Sequence, residues 1–548
     1  MKPFKILLLT SIGILITACG GSGGSSSEPM PEPVPEGVSP VISNLNIVTP
    51  VSATINEGKG STYIGGTFDF VDPDGDVVTV RLTTSSGADI STNITPGATS
   101  GTLEAFYEVS TVLAGSYNYN IWVEDSQGND SNVFSGTYTV TEDLDVSFGQ
   151  EGIVIFDDAA SGFDEEALGS VLQSDGKIVV VGRQYNGLND DVLVQRYTTD
   201  GSLDTNFANN GTLVYNSGDH EIAYDVALQN DGKIILVGYI REFGAGEKNI
   251  LIIRLNTDGT YDTTFGGDGI VTTNVSEYGE YGYAIAIQGD GKIIIAGEVS
   301  IGGADVQALI ARYNSDGTID NTFGSAGITT YDGIGWDIAY GVTVQPDGKI
   351  VTTGSTSEEA YPGVALTDLL LLRLNTDGTP DDTFGTNGVV TYNSIYESGR
   401  AVRIQNDGKI IVAGTRWSYS SIENAALLIR YNSDGSMDTT FAENGVLIYK
   451  KEYGFPSIAG HAISLLDNGE IVMAGFVNTD GFVIRVTNDG IYDNTLSIDG
   501  ISAVVSGGYA QLKSVLVQSD GKIVVAGNST LHDNYSDKAL FLARLTGD

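Results

Sequence analysis

The sequence predicts an all-β protein: a seven-bladed β-propeller whose ring is closed by an N-terminal strand, preceded by a small β-sandwich. Three observations carry this. An Arg followed eight residues later by Asp, three later by Phe or Leu and four later by Gly recurs at Arg196, Arg254, Arg312, Arg373, Arg430 and Arg485. A tight turn built on Gly recurs at Gly176, Gly232, Gly291, Gly348, Gly408, Gly469 and Gly521, at intervals of 52 to 61 residues. The unit is also cut in two. Arg544 stands four residues from the end without its Asp, Phe and Gly, while Asp145, Phe148 and Gly152 keep that spacing with no Arg before them. Half-units at opposite ends close a ring, whereas a solenoid would need atypical capping repeats.

The chain opens on Lys2 and Lys5, then an apolar run from Ile6 to Ile16, then Ile16-Thr17-Ala18-Cys19. A run of about eleven residues is too short to cross a hydrocarbon core of ~30 Å, so residues 1–18 read as a signal peptide. Ile16-Thr17-Ala18-Cys19 resembles the bacterial lipobox, which implies lipidation at Cys19, the one cysteine of the chain. The other reading is a plain secretory signal. Residues 19–40, rich in Gly and Ser and then in Pro and Glu, read as a linker. Lipoproteins with Gly rather than Asp after the Cys imply the outer membrane, with the membrane contacted through the lipid anchor only. A net charge of -43 opposes nucleic-acid binding, since phosphates require a basic face. It suits cations or simple solubility.

Residues 41–142 lack the repeat. Alternating runs at Gly66 to Val71, Val77 to Leu82, Tyr117 to Val123 and Phe134 to Val140, separated by Asp/Gly/Ser turns, predict the sandwich. Val71-Asp72-Pro73-Asp74-Gly75-Asp76 and the later Trp122-Val123-Glu124-Asp125 resemble immunoglobulin-like and cadherin-like modules of bacterial surface proteins. Asp72, Asp74 and Asp76 fit two uses, oxygen ligands for calcium or a plain turn between strands.

Within residues 143–548 each unit reads as four strands, in one copy Val226 to Gln229, Lys233 to Gly238, Ile250 to Asn256 and Gly269 to Asn274. The Asn-Asp-Gly between the first two is a hairpin turn. The third is apolar apart from its Arg, as a strand buried on both faces must be. Closure of the ring calls for Ile153 to Phe156 pairing with Phe541 to Leu545. Asp-Gly-Lys-Ile-x-Val-x-Gly followed by Leu-x-Arg-Leu-Asn-x-Asp-Gly-x-x-Asp-x-x-Phe-Gly resembles the delta-60 repeat family of bacterial exported proteins. The resemblance implies a propeller domain and no established catalytic site. One unit departs from it, with Asp467-Asn468-Gly469-Glu470 at the turn and Leu496 in place of Phe.

The connection Asn256-Thr257-Asp258-Gly259-Thr260-Tyr261-Asp262 is similar to calcium loops of other propellers, but Arg254 occupies the first ligand position. A guanidinium cannot ligate a cation, yet it pairs with a carboxylate. Arg254 with Asp262, Arg312 with Asp320, Arg373 with Asp381 and Arg544 with Asp145 therefore read as structural ion pairs, with repeated calcium sites as the alternative. No catalytic constellation is assigned. His220, His461 and His532 have no metal-ligand spacing. Asp157, Asp158, Asp164, Glu165 and Glu166 offer a carboxylate pair for glycoside chemistry or plain surface charge.

The face that carries the irregular loops is where function is expected, because differences between units are not explained by shared packing. It holds Tyr361, Tyr419, Trp336 and Trp417. At equivalent positions of the first strands stand Leu168, Tyr224, Tyr283, Tyr340, Arg400, His461 and Lys513. Such a ring would grip a glycan or an envelope or extracellular protein, or would only plug the channel mouth. The expected function is a surface-anchored binding or scaffolding lipoprotein, with a polysaccharide-acting hydrolase or lyase as the alternative.

Overall fold

The computed structural model describes residues 39–547 apart from 49–59, 74, 86–88, 94–98, 113–114, 141–143, 158–163, 242–245, 303–304, 334, 358–366, 394–395, 418–423, 451–456, 479, 494–495, 497–500, 505–508 and 531–537. Every regular element among them is a strand, and the chain divides near residue 142 into two compact units. The signal and lipidation motif with Cys19, together with Asp74, Tyr361, Tyr419 and His532, lies outside the described residues.

The first unit holds two antiparallel sheets. One orders Val41–Val48, Gly60–Val71 and Ser100–Val112; the other orders Asp89–Asn93, Val77–Thr84, Gly115–Asp125 and Phe134–Val140. Phe68 and Phe70, Val80 and Leu82, and Ile121 and Val123 are buried at alternate positions, the period of a strand with one face on the core. The Asp72 carboxylate accepts the backbone N–H groups of Asp76 at 2.6 Å and Val77 at 2.9 Å, the work of a turn residue.

The second unit contains seven four-stranded antiparallel sheets among the described residues. One of them runs His220–Leu228, Ile234–Arg241, Asn249–Leu255 and Ile270–Thr273. In the last sheet the fourth strand is Ile153–Phe156, which joins Ala510–Val517, Ile523–Thr530 and Lys538–Leu545. The pairing runs from Leu540 opposite Phe156 to Ala543 opposite Ile153, slightly earlier than the sequence suggested, and Leu545 instead bridges to Leu144. First strands of successive sheets touch, and the last touches the first, so the ring closes around them. Ile250, Leu251, Ile252 and Ile253 are all fully buried, because each sheet is covered on both faces by its neighbours.

The repeated Arg and Asp meet in every sheet. Nε of Arg254, Arg312 and Arg373 lies 2.7 Å from Oδ2 of Asp262, Asp320 and Asp381 respectively, and Arg544 lies 2.8 Å from Asp145. The guanidinium makes this contact with one edge. Nη1 of Arg254 donates to the Ser315 carbonyl in the next unit, and its plane lies over Phe265 at 4.6 Å. The carboxylate is shared: Lys233, from the Asp-Gly-Lys turn, reaches Asp262 Oδ2 at 2.8 Å, and Thr264 holds the other oxygen through its N–H and hydroxyl. Signature residues thus tie the two turns of one unit to each other and to the next unit. Burial opposes ionisation of Asp262, but the hydrogen bonds from Lys233 and Thr264 and the Arg254 charge hold its pKa well below the usual carboxylate range.

Candidate functional site

The first strand of the second sheet begins at His220, six residues before the alternation in the sequence suggests. The cause is a β-bulge. Registers break between Ala223 and Asp225, between Gly282 and Ala284, between Ala339 and Gly341, and likewise around Arg400, His461 and Lys513; in the first sheet the skipped residue is Leu168. The extra residue of each bulge is one of the seven equivalent positions singled out in the sequence. A bulge hides the period-2 pattern and re-aims the side chain it inserts.

The last Gly of the Asp-Gly-Lys motif makes the bulge possible. A Cβ on Gly238 would lie 1.7 Å from the Ile222 carbonyl oxygen, and one on Gly297 would lie 1.8 Å from that of Tyr281. Gly182, Gly354, Gly414, Gly475 and Gly527 face the equivalent carbonyls in the same way. The repeat therefore fixes a backbone socket and leaves the side chain it projects free to vary.

These side chains are all half-buried near the starts of the seven first strands. Tyr224 and Tyr283 meet edge-on at 5.2 Å, and Tyr283 and Tyr340 lie tilted at 5.4 Å. Arg400 lies over the Tyr340 ring at 4.2 Å, and Lys513 Nζ is 3.3 Å from His461 Nε2. One arc is aromatic and the other carries nitrogen. Fifteen residues after each member comes a second ring: Arg183, Tyr239, Glu298, Ser355, Thr415, Phe476 and Asn528. Tyr239 sits 6.1 Å from Tyr224, Phe476 stacks on His461 at 5.5 Å, and Lys248 covers Tyr281 at 4.2 Å.

Electrostatics follow from enclosure. Burial raises the Glu298 pKa to about 7, against the opposing hydrogen bond from Tyr283 and the charge of Lys248. Burial lowers Lys513 to about 8, with Glu166 opposing and Arg400 and Lys538 adding to the shift. His461 is pushed well below its ordinary value by burial and then by Lys513 and Arg400, so it is neutral. Deeper along the axis Asp225 accepts the N–H groups of Val226 and Ile285, and burial raises its pKa to about 6. Arg403 is exposed, although surrounding protein lowers its pKa against the opposing charge of Asp225.

Trp336 and Trp417 are exposed, 42% and 48%, beside the irregular loops; Trp417 meets Tyr396 at 5.9 Å. Glu165 and Glu166 are buried rather than spread on the surface, and Glu166 is held by Arg183 at 2.7 Å and Lys538 at 2.6 Å. Sequence reasoning missed what Glu165 belongs to. Three residues before the bulge, Glu165, Glu221, Glu280, Asp337 and Glu397 are all fully buried. Glu280 accepts the Val275 N–H at 2.9 Å, Asp337 accepts that of Gly333 at 2.5 Å, and Glu397 pairs with Arg416 at 2.9 Å. The first two pin the loops that lead into the first strands. An acidic residue at a fixed offset in five units was the available signal.

Fold and repeat together define a β-propeller protein. Residues 173–207, 229–265, 288–323, 345–384, 405–441 and 518–548 match the family model described as "Domain of unknown function (DUF5122) beta-propeller". The matched segments leave out the unit with Leu496. No curated protein sequence matches the chain. Among solved structures it is similar to the polysaccharide lyase Uly1, at 11% identity and a TM-score of 0.41 over 70% of this chain and 90% of that one. It is similar to the Penicillium chrysogenum alpha-L-arabinanase complexed with arabinobiose, at 9% and 0.40 over 71% and 96%. Prolyl oligopeptidase B from Galerina marginata gives 11% and 0.38 over 70% and 51%. Likeness at this level transfers no residue and no reaction.

Proposed function

We propose that the protein is a surface-anchored binding module whose ligand, a glycan, seats on the ring formed by Tyr224, Tyr283, Tyr340, Arg400, His461 and Lys513. The observation that carries this reading is the ring itself: seven sockets of one backbone geometry, whose side chains run in contact from Tyr224 through Tyr283 and Tyr340 to Arg400, with His461 and Lys513 paired beyond them. Tyrosines supply rigid contact area at low entropic cost, and the convergent polar groups supply orientation. Lipidation at Cys19 and the acidic surface fit display on the cell envelope, at the outer membrane. A glycan array probed with the purified chain tests the reading. Tyr283→Ala and Tyr340→Ala are expected to weaken binding at least about tenfold, since aromatic anchors dominate interfaces, while Asp258→Ala on the repeated face leaves it intact. Loss from the repeated face with retention in both Tyr variants would overturn it. One observation favours an enzyme acting on polysaccharide: Glu298, hydrogen-bonded by Tyr283, has a carboxyl poised for proton transfer near neutral pH. Release of reducing or unsaturated ends from a bound glycan, abolished in Glu298→Gln, would decide for it.

A further inference from the structure

The chain has 27 Lys and Arg against 70 Asp and Glu, so a basic side chain has acidic partners in excess. Several basic groups near the ring use them: Arg183 takes Glu166 and Asp190, and Lys538 takes Glu166, as the signature Arg and Lys residues take their Asp. Arg400 and Lys513 do not. Among the described residues no carboxylate lies within ion-pair distance of either. Arg400 contacts the Tyr340 ring, and Lys513 contacts the neutral His461. The carboxylate whose field Lys513 feels most, Glu166, is already held by two other cations.

A second observation falls on the same arc. Asn528, 1% exposed, leaves both its amide nitrogen and its amide oxygen without hydrogen bonds. It stands in the second ring behind Lys513, at the position whose equivalents Tyr239 and Phe476 touch ring members. Arg400 Nε, Ser398 Oγ and Thr415 Oγ1, all on the sheet of Arg400, are likewise unbonded. Buried polar groups left without partners are costly and uncommon, and where they cluster they mark a place completed by something else. Two cations without counter-ions beside unused donors call for an acceptor-rich anion.

We infer that the channel mouth takes an acidic glycan, whose oxyanion, carboxylate or sulfate, seats against Arg400, Lys513 and the Asn528 amide while a sugar ring lies on the tyrosine arc. This rests on the ring being the binding site and adds the charge class of the ligand. The arrangement explains why mutually repelling groups are kept together: an anion between them lowers the energy of both.

The test uses the full chain and three probes, polygalacturonate, a sulfated dextran and uncharged dextran. The two acidic probes distinguish carboxylate from sulfate as the bound group, and binding of either supports the inference. Arg400→Gln with Lys513→Met is expected to weaken the preferred acidic probe at least about tenfold. Asn528→Asp, which places a negative charge in the site, is expected to do the same. Free galacturonate or inorganic sulfate should compete on the unmodified protein where galactose does not, a readout that needs no variant. Equal binding of dextran, or acidic-probe affinity unchanged in the double variant, would overturn the inference. If a neutral glycan binds and is lost in Tyr283→Ala but not in the double variant, the anion inference alone fails. If no ring variant affects any glycan, the binding site itself is wrong.

Discussion

Substituting Gly297 by Ala tests whether the repeat's glycine builds the site. The new Cβ would stand 1.8 Å from the Tyr281 carbonyl oxygen, whereas contact distances run near 3.5 Å. The first and second strands of that sheet would have to part by more than about 1.5 Å beside the bulge that carries Tyr283. Two flanking ladder hydrogen bonds at ~1 kcal/mol each, with ~1 to 3 kcal/mol of overpacking, give a loss of roughly 3 to 5 kcal/mol. In a domain of this size that is a fall in Tm on the order of 5 °C. Thermal denaturation measures the stability change, and titration with a ring ligand measures displacement of Tyr283. A variant that melted with the parent and bound equally well would refute the socket account, because the clash would then be absorbed without moving the bulge.

Other outcomes follow from the same contacts. Asp262→Ala strands Arg254, 5% exposed, and should cost ~3 to 5 kcal/mol in chemical denaturation, while chelator leaves the propeller's Tm unchanged; a chelator-induced drop restored by metal would instead support calcium. Burial raises the Asp337 pKa from 3.8 to about 6, so its contribution is greatest below pH 3.8 and is lost as pH rises through 6. Asp337→Asn should therefore stabilise by roughly 1 to 3 kcal/mol at pH 8 and not at pH 3.5, read from paired melts. The depressed Asp262, Asp320 and Asp381 have the opposite sign: they contribute fully above pH 3.8 and lose it as pH falls below, which places acid unfolding of the ring under that value. Deleting residues 144–157 removes the strand paired with Leu540–Ala543 and leaves an open edge, so light scattering should show aggregation where the intact chain shows none.

The repeat was legible because its signature residues act within one unit or on the next, so the same contacts recur at the same spacings. Arg254 and Asp262 could be joined on paper for that reason. Lys233 could not, since Asp-Gly-Lys reads fully as a hairpin turn and only the third dimension brings its amine to Asp262. The first strands were placed too late because the bulge at Tyr224, the fifth residue of its strand, breaks the alternation. The ring positions were legible as differences between units, but not the second ring, fifteen residues on, which needs the hairpin register to connect Glu298 with Tyr283. The burial of Glu280 and Asp337 depends on backbone N–H groups of the preceding loop, which a sequence does not display.

The most direct measurement of the central claim is amide hydrogen exchange of the full chain with and without the glycan that the array returns. Binding at the ring predicts slowed exchange over the starts of the first strands, Glu221 to Asp225, Glu280 to Ala284, Asp337 to Gly341 and Glu397 to Ala401, with the turns near Asp258, Asp316 and Asp377 unchanged. Protection confined to those turns, with the strand starts exchanging as before, would contradict it.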